Sequence, residues 1–189
     1  MGLATLYFKK LYPNARIIAF EPSDKAFKFL KRNTKNLSDI TLVHAALSDN
    51  PGTLDYFSFK HRPSDVGGTT VTKTADAKQK DFNQKTEVQK VKTIRLSDFI
   101  EGEVDFLKMD IEGSEILVLR NLRDAKKLKN VSEIVMEYHH DYFDGPHLQE
   151  ILQILKDFKV VVWQDAPSKN IRKTFERKKT HFNMISAWV

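Results

Sequence analysis

Cysteine is absent from the sequence. That absence excludes disulfides, thiolate nucleophiles and cysteine-ligated zinc together. No apolar run approaches the ~20 residues a helix needs to cross a bilayer, and the first residues lack the charged-then-apolar pattern of a secretory signal. A cytoplasmic location is the default expectation. Also missing are a complete G-x-G-x-x-G, a Walker loop, a G-x-S-x-G elbow and an H-E-x-x-H pair. Hydride transfer, NTP hydrolysis, acyl transfer and a zinc-binding helix are therefore without their signatures. What is present is an ordinary globular composition, 41% hydrophobic and 30% charged over 189 residues. That length suits one domain, residues 1–189, with a sizeable core. Lys and Arg number 31 against 25 for Asp and Glu, a net charge of +6, which permits an anionic partner without requiring one.

Helix-spaced apolar residues at 3–11 predict a helix that stops at Tyr12-Pro13. RIIAF (16–20) predicts a strand buried on both faces. Pro22-Ser23 opens a second helix, with Asp24 suited to its N-terminal dipole. ITLVHAAL (40–47) reads as one strand, followed by a turn at 50–52 and a strand at 53–59. The polar stretch 60–87 predicts a surface insertion. A strand followed by a short helical turn is predicted over 91–100 and buried strands at 104–110 and 132–140, with a helix over 112–122 between them. A helix over 146–158 and strands at 159–164 and 181–189 complete the chain. Alternating strands and helices imply an α/β fold: a mostly parallel sheet covered on both faces, with the last two strands as an antiparallel hairpin.

In open α/β sheets ligands bind beyond the carboxyl ends of the strands. Glu21, Ala46 to Asp49, Asp110 with Glu112, and Glu137 to His140 occupy those ends. Glu21 follows Gly2 by about 20 positions, the spacing of an acid that accepts bonds from two ribose hydroxyls. The competing reading is an acid balancing a helix dipole. Asp110 and Glu112 are equally compatible with ordinary helix capping, although Gly113 in a first helical turn costs propensity and would admit a close ligand. Alternation places Glu137 and His139 on one side of a strand end. A histidine beside a glutamate at that edge is a candidate general base. The basic run 169–179 is expected to be a solvated loop rather than a nucleic-acid surface.

The segments IIAFEPSDKAFKFLKRN, LVHAALSDNPGTLDYF, TIRLSDFI, VDFLKMDIEGSEILVLRNL and IVMEYHH resemble, in order and spacing, the FkbM-type family of S-adenosylmethionine-dependent methyltransferases. The likeness runs from about Gly2 to His140. DFLKMDIEGSE followed by LVLRNL is its most diagnostic part; Glu21-Pro22 and the Glu-x-His at 137–139 add support. The resemblance implies a Rossmann-like class I methyltransferase sheet and S-adenosylmethionine as cofactor. It implies methylation of a hydroxyl on a sugar or small natural product. Glu21 would bind ribose, and Ala46 and Leu47 would form a loop flanking adenine. Asp110 would lie near the cofactor's methionine end. Glu112, Glu137 and His139 would line the acceptor pocket, with His139 as base and Asp110 or Glu137 orienting it. A variant has Asp110, Glu112, Glu137 and His139 hold a hard divalent ion that lowers the acceptor's pKa.

The family pattern places a strand and a glycine-rich turn before the helix that starts here at Leu3, with Gly2 matching the turn's last glycine. The expectation is therefore a chain N-terminally incomplete in its first strand and glycine loop. That leaves open a non-catalytic remnant serving as a binding module. An RNA methyltransferase is a further alternative suggested by charge, against which stand the absence of an Asn-Pro-Pro-aromatic motif and of a basic stripe rich in aromatics. Segments 60–87 and 141–147 would shape the acceptor pocket.

Overall fold

The structure, a computed structural model, describes residues 1–59, 68–72, 75–76, 86–139, 147–163 and 183–189. His140, most of the 60–87 insertion and of the 141–147 loop, and the 169–179 basic run lie outside the described residues. The chain divides into two compact units, Met1–Ile94 and Arg95–Val189.

The first unit opens with helix α1 (Leu3–Leu11), strand β1 (Ile17–Phe20), helix α2 (Asp24–Thr34) and strand β2 (Ile40–Val43). β1 and β2 pair in parallel from Ile17↔Ile40 to Phe20↔Val43. Ser23 caps α2 by accepting the Ala26 N–H at 3.2 Å, with Asp24 in the first turn and Lys31 and Arg32 in the last. Both charge placements oppose the helix dipole. α1 differs from its sequence pattern. Its apolar stripe, Leu3, Tyr7 and Leu11, is at least half exposed, whereas Thr5 and Lys9 are buried. Lys9 tolerates burial because its Nζ donates to the Ala15 carbonyl at 2.7 Å, satisfying the ammonium while its stem packs.

Gly2 is held in a left-handed conformation, φ +86°, at the start of α1. A Cβ there would stand 2.8 Å from Leu30 Cδ1 and 3.3 Å from Leu30 Cα on α2. Only glycine combines that dihedral with that approach. Gly2→Ala is expected to cost about 1–2 kcal/mol of stability, measured as a lower urea midpoint at unchanged m.

The predicted 40–47 strand is two elements. The chain breaks after Val43, where Ala45 N–H bonds the Val43 carbonyl at 3.1 Å, and β3 (Ala46–Leu47) joins another sheet. β3 pairs in parallel with β5 (Thr86–Ile94), which runs antiparallel to β4 (Gly52–Phe59). Within the expected polar insertion, β5 begins at Thr86 and Thr69 bridges Phe57.

The second unit holds β6 (Val104–Met109), α3 (Glu115–Asp124), β7 (Val131–Tyr138), α4 (Leu148–Ile154), β8 (Lys159–Trp163) and β9 (Asn183–Trp188). Sheet order is β6-β7-β9-β8. β6 and β7 are parallel; β9 runs antiparallel to both β7 and β8, as expected of the last two strands. The core is apolar and tight: Ile116, Leu119 and Leu122 on one face of α3, and Ile134, Met136 and Ile185 in the sheet, are exposed by 1% or less. Arg120 grips Glu150 through two bonds of 2.8 and 2.6 Å, tying α3 to α4; that bidentate pair holds the Glu150 carboxyl below its usual range. β6 is less covered than its apolar sequence predicts, with only Met109 buried and Phe106 37% exposed. Among the described residues it pairs on one side only, with β7. Among them, too, no helix is long and apolar enough to cross a membrane.

Candidate functional site

Two neighbouring parallel strands create the site in the second unit. Met109 on β6 is in register with Met136 on β7. Both strands therefore release their chains at the same level, and 110–115 meets 137–139. Asp110 leaves β6 half-exposed, 3.3 Å from Lys108. The chain then reverses through Glu112 (φ 58°) and Gly113 (φ 114°), both left-handed. Helix α3 consequently starts at Glu115, three residues later than its sequence pattern suggests. The reason is steric: glycine enters that region freely and glutamate at a cost of about 1–2 kcal/mol, so 112–113 forms a turn instead of a first helical turn.

That reversal surrounds His139 with carboxylates. Its Nε2 lies 3.2 Å from Glu112 Oε2 and 3.5 Å from Glu137 Oε1, and its Nδ1 lies 2.9 Å from Glu115 Oε1. The ring is 5% exposed and Glu115 is 1% exposed. Glu115 also accepts the Gly113 N–H at 3.0 Å. Burial alone would lower the imidazole's pKa. Hydrogen bonds to Glu115 and Glu137, with the charges of Glu115 and Glu112, outweigh it and raise the pKa from 6.5 to about 10. Both ring nitrogens face carboxylate oxygens, an arrangement that favours the protonated ring. Three carboxylates enclose the ring, so the geometry favours a protonated His139 holding carboxylates over the neutral general base expected from the sequence.

Asp110, Glu112 and His139 each present one ligand atom, all within 4.8 Å of one another. A divalent cation taking the place of the Nε2 proton would find there two hard oxygens and a nitrogen. Asp110, Glu112, Glu137 and His139, singled out in the sequence, are thus brought together. Glu115 was missed. It sits inside the diagnostic DIEGSE segment, and its signal was a carboxylate at a helix position otherwise followed by buried apolar residues.

In the first unit the sequence-derived residues separate. Glu21 follows β1 and its N–H bonds the Val43 carbonyl at 3.1 Å, fixing it against the end of β2. Its Oε1 accepts the Ser23 N–H at 3.2 Å, and its Oε2 lies 3.3 Å from the Met1 amino group, beside Gly2. Both carboxylate oxygens are engaged by donors. Pro22 is held by a bond from Gln89 Nε2 to its carbonyl at 3.2 Å. Ala46 and Leu47 do not form the expected loop. They are strand residues, 7% and 8% exposed, and Ala46 packs with Tyr56 and Val91. At the exposed end of β2 stands His44 instead, stacked on Phe27 with ring centroids 4.3 Å apart and planes at 11°. Its Nε2 is 3.2 Å from Asp24.

Residues 2–160 match the family profile described as the methyltransferase FkbM domain. Methyltransferase 1 of Beauveria bassiana is 34% identical over 139 residues, covering 66% of this chain and 55% of its own length. Methyltransferase sdnD of Sordaria araneosa is 29% identical over 185 residues, with 81% and 68% covered. The 2-O-methyltransferase NoeI of Sinorhizobium fredii is 27% identical over 176 residues, with 82% and 67% covered. The chain thus spans about half the length of the first of these relatives. Among solved structures, the methyltransferase FkbM of Methylobacillus flagellatus superposes with a TM-score of 0.60 at 15% identity, over 99% of this chain and 40% of that one. That likeness concerns the fold, which is the Rossmann-like methyltransferase α/β fold expected from the sequence.

Proposed function

The chain belongs to the FkbM methyltransferase family, and on that premise we propose that it serves S-adenosylmethionine-dependent methylation of a hydroxyl on a sugar or small natural product. The observation that carries this reading is the carboxylate-clamped His139 at the paired ends of β6 and β7. The hydroxyl class is supported by the name of one relative, a 2-O-methyltransferase. When bound, the cofactor supplies an electrophilic methyl group on a sulfonium.

The chain's own residues have the remaining tasks. Glu21 accepts two ribose hydroxyls. The His44–Phe27 stack offers a planar apolar face at the end of β2 for adenine, a role Ala46 and Leu47 cannot take with buried side chains. Asp110, the most exposed acid of the second-unit cluster, adds negative charge beside Glu112 and His139. One of the two carboxylates, Glu112 or Glu137, takes the single proton from the substrate hydroxyl as its oxygen gains the methyl group, and His139 holds both carboxylates in place by donating from Nε2.

A second reading is favoured by the 4.8 Å triangle of Asp110, Glu112 and His139. In it these residues hold a divalent cation that lowers the acceptor's pKa. Chelator-resistant activity, together with no binding of Mn²⁺ by paramagnetic resonance, would remove it.

The test is transfer of labelled methyl from the cofactor to a panel of hydroxylated sugars and natural products. The Glu112→Gln/Glu137→Gln variant should bind cofactor as the wild type does and transfer at least about 100-fold more slowly. Equal rates would remove the proton-accepting role. Cofactor binding with no transfer to any acceptor would leave a binding module.

A further inference from the structure

Glu115 is among the least exposed ionisable side chains described, and the reaction as proposed makes no use of it. A carboxylate at 1% exposure is costly unless its oxygens are satisfied. Here one oxygen takes both the His139 ring at 2.9 Å and the Gly113 N–H at 3.0 Å. We infer that Glu115 is a positioning residue: by holding the Nδ1–H of His139 it commits the ring's Nε2 edge to Glu112 and Glu137. The inference rests on the reading of this cluster as the place of transfer.

The chemistry leaves the ring little choice. An ionised carboxylate only accepts, so the nitrogen facing Glu115 must carry hydrogen. Flipping the ring would turn a carbon toward Glu115 and leave a buried charge without its partner. The same carboxylate oxygen is clamped by the backbone of Gly113, adjacent to Glu112. One turn therefore places both Glu112 and, through Glu115, the imidazole. The arrangement holds whether Nε2 carries a proton or faces a cation, because Nδ1 is a donor in both. Carboxylates that orient a metal-ligating imidazole through its second nitrogen typically matter by about 10–100-fold, and an effect of the same order is expected here.

The experiment compares wild type, Glu115→Gln and Glu115→Leu by ¹H–¹⁵N NMR of the His139 ring, by calorimetric cofactor affinity and by methyl transfer. A hydrogen-bonded Nδ1–H resonance is expected in the wild type, weakened in Glu115→Gln, which keeps an acceptor oxygen, and lost in Glu115→Leu. kcat should fall in the same order, by about 10–100-fold for Leu, with cofactor affinity unchanged and partial rescue by Gln. If Glu115→Leu does not fold, the Gln variant carries the same comparison. An Nδ1–H resonance and kcat unaltered in the variants would overturn the inference. Loss of the resonance with undiminished transfer would show that Glu115 orients the ring but that transfer occurs elsewhere, which overturns the site reading and not the ring's orientation.

Discussion

His139→Ala is expected to lower folding stability by about 3–5 kcal/mol, the cost of breaking a buried ion pair by removing one partner. The variant strands Glu115, 1% exposed, without its counter-charge and sets Glu112 and Glu137 against each other. Methyl transfer should fall by about 100-fold or more, because the carboxylates lose the group that holds them. The pH dependence identifies the cause. The imidazole's pKa is raised from 6.5 to about 10 on folding, so its contribution is complete below about pH 6.5. It is lost as pH rises toward and through about 10. Urea titrations across that window should show wild-type stability declining with pH and the variant's curve nearly flat. Parallel curves would mean that His139 is not cationic in the folded protein.

Glu21→Gln should weaken S-adenosylmethionine binding by about 10–100-fold, since hydrogen bonds to a charged group contribute about 1.5–3 kcal/mol. The amide keeps the shape and one acceptor oxygen but turns the other end into a donor, which cannot receive a ribose hydroxyl's hydrogen. Stability should change by less than about 1 kcal/mol, because helix α2 is capped by Ser23 Oγ and not by Glu21. Calorimetry on folded wild type and variant checks both halves. Equal affinities would remove Glu21 from the ribose site.

Much of the architecture was legible because the relevant signals are local. Period-2 and period-3.6 patterns and the Ser23 cap located most of the strands and helices. The errors have local causes as well. The run 40–47 is apolar throughout, so nothing in its pattern marks the break after Val43 that sends Ala46 and Leu47 into another sheet. α1 shows an apolar stripe that the fold leaves exposed, because Lys9 satisfies its charge on the Ala15 carbonyl and takes the inner face with Thr5. Helix spacing suggests an earlier start for α3 because it cannot register a left-handed glutamate at position 112.

By itself the sequence determined which side chains stand at strand ends, Glu21, Asp110, Glu112, Glu137 and His139, and the family to which their spacing belongs. These are matters of neighbours along the chain. The tertiary structure decided what those groups are chemically. The parallel register of Met109 with Met136 brings two strand ends together, and the 112–113 turn folds Glu115 back onto a histidine 24 residues away. Protonation depends on burial and on charges across space, which no local pattern encodes. Hence a residue legible as a candidate base is, once folded, enclosed by three carboxylates that raise its pKa.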